Sequence, residues 1–136
     1  MKKKIAVLFT SCLSVAIVGL LATRSLQQDP WPVPDAAKNK ANPVAKTDAA
    51  ALQTGKDLFN QHCQSCHGKK GKGDGPKASQ LDTDPGDFTT AKFQAQTDGA
   101  IFYKTSEGRK DMPSYKKKIS NPNDIWSVVN YLRTLK

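Results

Sequence analysis

The stretch Cys63-Gln64-Ser65-Cys66-His67 constrains this chain more than any other. It reads Cys-x-x-Cys-His, the attachment pattern for a covalent c-type haem. Two thiols one short turn apart can each form a thioether to one haem vinyl group. A histidine directly after the second thiol lies beneath the iron and offers its ring nitrogen as the proximal ligand. A bare Cys-x-x-Cys also serves zinc sites and thiol–disulfide exchange. A closed zinc site wants four well-spaced ligands, and a fourth is missing here. A thioredoxin-like site wants a strand-to-helix context, which is also missing. The expectation is a fold wrapped around one haem c, with Cys63 and Cys66 as the thioether residues and His67 as an axial iron ligand.

The three cysteines are Cys12, Cys63 and Cys66. Cys12 falls in an N-terminal apolar run, so no disulfide framework exists beyond the motif pair. With 136 residues the chain holds one small domain plus appendages. Such a domain has a limited core of its own. A buried haem supplies much of the missing apolar interior, and the apo-protein is expected to fold poorly.

Residues 1–24 read as a signal peptide or an uncleaved membrane anchor. Lys2, Lys3 and Lys4 form a basic start, and an almost unbroken apolar run follows from Ile5 to Ala22. That run is long enough to span a bilayer. No clear small-x-small cleavage site follows it, which tilts the reading toward the anchor. Cys12 sits in a poor lipid-attachment box, Phe9-Thr10-Ser11-Cys12, and reads as a small apolar residue. In either case the basic start stays in the cytoplasm and the remainder is delivered to the periplasmic side. The formal net charge of +9 partly reflects Lys2, Lys3, Lys4 and Arg24. Nucleic acid is not an expected partner for an exported haem protein.

Residues 25–48 read as a proline- and alanine-rich linker. Pro30, Pro32, Pro34 and Pro43 break any long helix, and an extended arm is expected. Trp31 stands out, since a pure spacer needs no aromatic; it packs on the domain, touches a partner, or lies exposed near a membrane. Residues 49–136 form the expected domain, which is all-α. Thr47 or Asp48 suits a helix cap. Leu52, Gly55, Phe59 and Cys63 then share one helical face and deliver the motif at its end. Gly55 in mid-helix costs about 1 kcal/mol against alanine, which implies close approach of another element. Gly68 to Gly75 is a glycine- and lysine-rich loop without a phosphate-binding pattern. A short helix is expected over Lys77–Leu81, and another over Thr97–Glu107 with Ile101, Phe102 and Thr105 inward. The last helix starts at Ser120 or Asn121, with Pro122 in its first turn and Asp124 at its positive end. Ile125, Val128, Val129, Leu132 and Leu135 make its apolar stripe, with Tyr131 at the margin. No strand signal and no internal repeat is present.

The second axial ligand must come from elsewhere in the chain. His62, the other histidine, precedes the first cysteine and cannot readily reach the opposite haem face. Met112 is the one methionine besides the initiator. Its loop position, between Asp111 and Pro113, favours thioether ligation over core packing.

From about Leu52 to Lys136 the chain resembles a small class I mono-haem c-type cytochrome of bacterial type, with a histidine/methionine-ligated haem. The resemblance rests on Cys63-x-x-Cys66-His67, Gly73-Asp74-Gly75-Pro76, Asp111-Met112-Pro113 and a C-terminal helix carrying Trp126 and Tyr131. It implies a crossing of the first and last helices at Gly55 and Phe59 against Tyr131. It also implies that the Pro76 carbonyl accepts the second N–H of His67, a bond that fixes ring orientation. The implied function is one-electron carriage in an exported chain, without enzymatic activity of its own. The alternative is a haem c subunit or tethered domain inside a larger membrane respiratory oxidoreductase. Lys69, Lys70, Lys72 and Lys77 follow the proximal histidine, and Lys116 to Lys118 follow Met112. In such a fold both groups border the exposed haem edge, and a redox partner with an acidic docking surface is expected.

Overall fold

The computed structural model describes residues 30–136. The expected signal peptide or anchor over residues 1–24, with Cys12, and the first residues of the expected linker lie outside the described residues. Among the described residues the chain is helical and no strand occurs. The elements in order are α1 (Asp35–Lys38), α2 (Ala49–His62), α3 (Gln64–His67), a 3₁₀ turn (Ala78–Gln80), α4 (Ala91–Gln94), α5 (Asp98–Glu107) and α6 (Pro122–Leu132). No described helix is long and apolar enough to cross a membrane.

Each long helix starts where its sequence supplies a cap. Asp48, rather than Thr47, caps α2 by accepting from the Ala51 amide at 3.0 Å. Thr97 caps α5 through the Ala100 amide. Asn121 caps α6 through the Asn123 amide, with Pro122 at the first helical position. The expected helix over Lys77–Leu81 is only the 3₁₀ turn at Ala78–Gln80. The short α4, capped by Thr90, has too few residues to leave a periodic signal.

The domain is organised by the contact of α2 with α6. Ile125, Trp126, Val128, Val129 and Leu132 on α6 are all buried. Leu135, expected on the same stripe, lies beyond the end of α6 and is only half-buried. Phe59 of α2 is fully buried, with its ring centroid 5.3 Å from that of Tyr131. Gly55 meets α6 at a different place from the expected one. A Cβ there would stand 2.1 Å from the Ser127 carbonyl oxygen, so its partner is backbone rather than the Tyr131 ring. Gly55→Ala is therefore expected to destabilise the domain by about 3 kcal/mol, although alanine is the better helix former. Denaturant unfolding of the holo-protein checks this, and an unchanged midpoint would mean that the two helices can part at no cost.

Residues 30–48 differ from the expected extended linker, because they lie against the domain as a strap. Asn130, buried on α6, explains part of this. Its side-chain oxygen accepts from Asn42 Nδ2 at 2.8 Å, and its Nδ2 donates to the carbonyls of Val44 and Ala45. A buried amide without those partners would be costly. Gly99 explains another part: a Cβ there would stand 2.1 Å from the Ala37 carbonyl oxygen, so the missing side chain lets α1 lie on α5. Lys40 covers the Phe102 ring at 4.9 Å, and Lys46 pairs with Asp98 at 3.1 Å.

Candidate haem site

The motif sits at the junction of α2 and α3. The α2 helix ends at Cys63, whose amide donates to Phe59, and the Cys66 and His67 amides both bond back to the Cys63 carbonyl. This tight turn makes α3 and places His67 one turn from the first thiol. Tyr115 pins the junction from outside, donating its hydroxyl to the His62 carbonyl at 2.8 Å.

Met112 comes from the loop that follows α5. Its loop closes on itself through reciprocal bonds: the Arg109 amide to the Met112 carbonyl at 2.7 Å, and the Met112 amide to the Arg109 carbonyl at 2.9 Å. The Asp111 carboxylate accepts from the Thr83 amide and hydroxyl at 2.9 and 2.5 Å. Those bonds hold the Asp111 carboxyl below its ordinary range, the hydroxyl bond contributing most. The aspartate beside the methionine thus ties the Met112 loop to the segment that follows the 3₁₀ turn.

One apolar cleft contains His67, Cys63 and Met112 together, with Phe59, Phe88, Thr105, Val128 and Leu132. Its walls come from two apolar clusters. Phe59, Cys63, Phe88, Val128 and Leu132 belong to the larger, while Met112 packs on the smaller one of Tyr115, Ile119 and Ile125. Cys66 does not line the cleft and is more exposed than Cys63. The sequence reading missed Phe88, whose ring stacks on the His67 imidazole with centroids 4.4 Å apart. A single aromatic in a loop carries no periodicity by which to find it. Thr105, expected inward on α5, is buried and lines the cleft.

Electrostatics favour neutral ligands here. Burial pushes the His67 imidazole down to about 4, against smaller raising effects of the Pro85 backbone and Asp84. It is therefore neutral at pH 7, with a lone pair to donate. Burial, then the neighbouring Cys66, pushes the Cys63 thiol up to about 12. That thiol stays protonated, which suits neither a zinc thiolate nor a redox nucleophile. Among the described residues no group of three or more His, Cys, Asp or Glu could hold a metal ion by itself.

The backbone carbonyl nearest in effect to His67 is not the expected one. His67 Nδ1 is wholly buried and makes no formed hydrogen bond. Against the larger effect of burial, the backbone of Pro85 raises the imidazole's pKa. Pro76 is exposed, and its neighbours are engaged elsewhere: the Gly75 amide bonds to the Cys66 carbonyl and the Lys77 amide to the Ser65 carbonyl. Those bonds fasten the Gly75–Lys77 turn to the backbone of α3. Pro85, rather than Pro76, is the proline beside His67.

The cytochrome c family model matches residues 52–136. The chain belongs to the cytochrome c family, a family of electron carriers. Among solved structures, a chain of the Kuenenia stuttgartiensis reducing HAO-like protein complex Kustc0457/Kustc0458 is similar at 28% identity and TM-score 0.62, over 80% of this chain and 52% of that one. This chain thus spans about half the length of that one. The KustC0563 c-type cytochrome is similar at 29% identity and TM-score 0.52, over 60% of this chain and 96% of its own. Cytochrome cL of the marine methylotroph Methylophaga aminisulfidivorans, at 19% identity and TM-score 0.54 over 78% and 71% of the two chains, shares the fold. No curated protein matches the chain.

The protein is a c-type cytochrome, and its cofactor is covalently bound haem c with its iron. The residues fit that group. A neutral buried imidazole and a thioether share one apolar cleft with a protonated thiol, and the Nδ1 left without a partner marks a ring held for more than packing.

Proposed function

We propose that this cytochrome is a one-electron carrier on the periplasmic side, of class I type. Cys63 and Cys66 hold the haem, and His67 and Met112 are its axial ligands. The observation that carries the reading is the meeting of His67 and Met112 in one apolar cleft, although one ends α3 and the other lies in the loop after α5. The haem supplies the redox couple. The chain supplies an imidazole steered by Phe88, a thioether steered by the Asp111–Thr83 bonds, and walls that exclude water. With both axial positions filled the iron keeps no site for a substrate, so the protein carries electrons rather than turning over a reactant. Thioether ligation raises the potential relative to two histidines. Intact mass and a redox titration test the proposal: mass should exceed that of the polypeptide by one haem, and one one-electron wave should appear. Carbon monoxide binding by the reduced protein at neutral pH would contradict the filled sixth position. The same intact mass reports whether residues 1–24 remain as an anchor.

A second reading places the domain inside a larger oxidoreductase. It is favoured by the similarity to a chain of a multi-protein complex, which extends over 80% of this chain. Copurification with a respiratory complex in mild detergent would support it, and a freely released monomer would not.

The lysines after the motif supply a docking face in this proposal. Lys69, Lys70, Lys72 and Lys136 line one groove with Thr89, Thr134 and Leu135. The second group carries less free charge, since Lys116 pairs with Glu107 and Lys118 covers the Tyr115 ring at 5.5 Å. An acidic redox partner is thus expected on the Lys69–Lys72 side. Electron transfer should slow as salt rises, because steering is screened beyond about 8 Å at physiological ionic strength. Lys69→Glu with Lys72→Glu should slow it by about tenfold at low salt. A rate indifferent to both leaves these lysines as ordinary surface.

A further inference from the structure

The strap reaches the Met112 loop through an aromatic clamp. Arg109, the residue that exchanges both backbone bonds with Met112, donates from Nη1 to the Pro30 carbonyl at 3.0 Å. Its guanidinium carbon lies 5.5 Å from the centre of the Trp31 ring. The Lys104 ammonium of α5 lies 5.7 Å from the centre of the same ring. Lys104 is partly buried, and burial, then the Arg109 charge, pushes its pKa down. Two like charges are therefore gathered on one indole, whose electron-rich face attracts each of them. Lys104 also donates to the Gln96 side-chain oxygen, so the ring is one of several groups that settle this pair of cations. Trp31 thus joins α5 to the loop that presents Met112. The other limb of that loop is held independently, by Asp111 on Thr83.

We infer that Pro30 and Trp31 are positioning residues for Met112: the strap holds Arg109, Arg109 holds the backbone of Met112, and the strap thereby sets how firmly the thioether is kept at its post. The inference rests on the reading of Met112 as the distal ligand. It assigns the tryptophan of the proline-rich segment to the haem site, although the family match begins only at residue 52. Its consequence is a distal side whose firmness depends on chain outside the family domain.

Two measurements on the oxidised holo-protein test it: amide hydrogen exchange at Met112, and binding of added imidazole in competition with the thioether. Trp31→Ala should speed Met112 exchange and tighten apparent imidazole binding, each about tenfold, equivalent to about 1.4 kcal/mol. That is the scale of two partly exposed cation–π contacts. Exchange at Val129 and Asn130 in α6 should stay as it was. Trp31→Phe, which keeps an aromatic face, should restore most of the loss. Unchanged exchange and unchanged imidazole binding in Trp31→Ala would overturn the inference. If Trp31→Ala yields no folded holo-protein, Arg109→Gln removes the same joint from the other side and carries the same expectations. Failure of both to fold would make the strap a general support and overturn its specific role. Met112→Ala run in parallel separates the two readings. If the near-infrared band survives that substitution, the ligand assignment fails, while exchange at Met112 still judges the clamp.

Discussion

Met112→Ala is expected to abolish the weak near-infrared sulfur-to-iron band of the oxidised protein and to lower its reduction potential by roughly a few tenths of a volt. Axial ligands set haem potentials over a span of about 0.8 V, and loss of a thioether moves the iron toward the low end of it. The nearest oxygen donors of the same loop are already engaged. Asp111 is engaged by Thr83, and Tyr115 is committed to the His62 carbonyl. Water or an added ligand would therefore fill the position, and the reduced variant should bind carbon monoxide where the parent does not. The fold should survive, because Met112 is only half-buried and packs on the edge of the smaller cluster. Far-UV circular dichroism separates this outcome from unfolding. A band and a potential that both persist would remove Met112 from the iron.

Replacing both Cys63 and Cys66 by alanine should remove covalent haem entirely. The mass excess of one haem and the haem stain on denaturing gels should both vanish. The larger effect is on the fold. The cleft lies where the two apolar clusters adjoin, with Met112 from one and Phe59, Cys63, Phe88, Val128 and Leu132 from the other. A haem whose burial and ligation exist only in the folded chain stabilises the folded state. Without it, a domain of this size has little reserve. The double variant should lose its cooperative thermal transition, whereas Cys66→Ala alone, with one thioether left, should keep a weakened one. A double variant that melts as the parent does would show that the polypeptide core suffices by itself.

The chemistry of the site was legible because it is local. Cys63, Cys66 and His67 are fixed by adjacency, and a short turn is all the structure must add. Met112 stood out by uniqueness, as the one internal methionine, and the structure brings it into one cleft with His67. The helices with clear caps and apolar stripes, α2, α5 and α6, were legible for the same local reasons. Even the α2–α6 contact was announced by Gly55, a residue too costly in mid-helix to stand there without a neighbour.

The tertiary structure decided what depends on two distant segments meeting. Pro76 and Pro85 both follow the histidine in proline-containing turns, and only the path of the chain puts Pro85 beside the imidazole while Pro76 stays in solvent. Phe88 stacks on His67 from a loop without any periodic pattern. The strap shows the same division. From residues 25–48 alone, prolines and small polar residues dictate an extended chain, and they do not say where it lies. That was settled by an amide buried on α6 at Asn130, a missing side chain at Gly99, and two cations gathered at Trp31. The partners of those groups lie far away along the chain, so no local reading of the segment contains them. Sequence determines the covalent chemistry and the helices because both act over a few residues; burial and hydrogen-bond satisfaction act between segments, and the folded chain alone shows which segments they join.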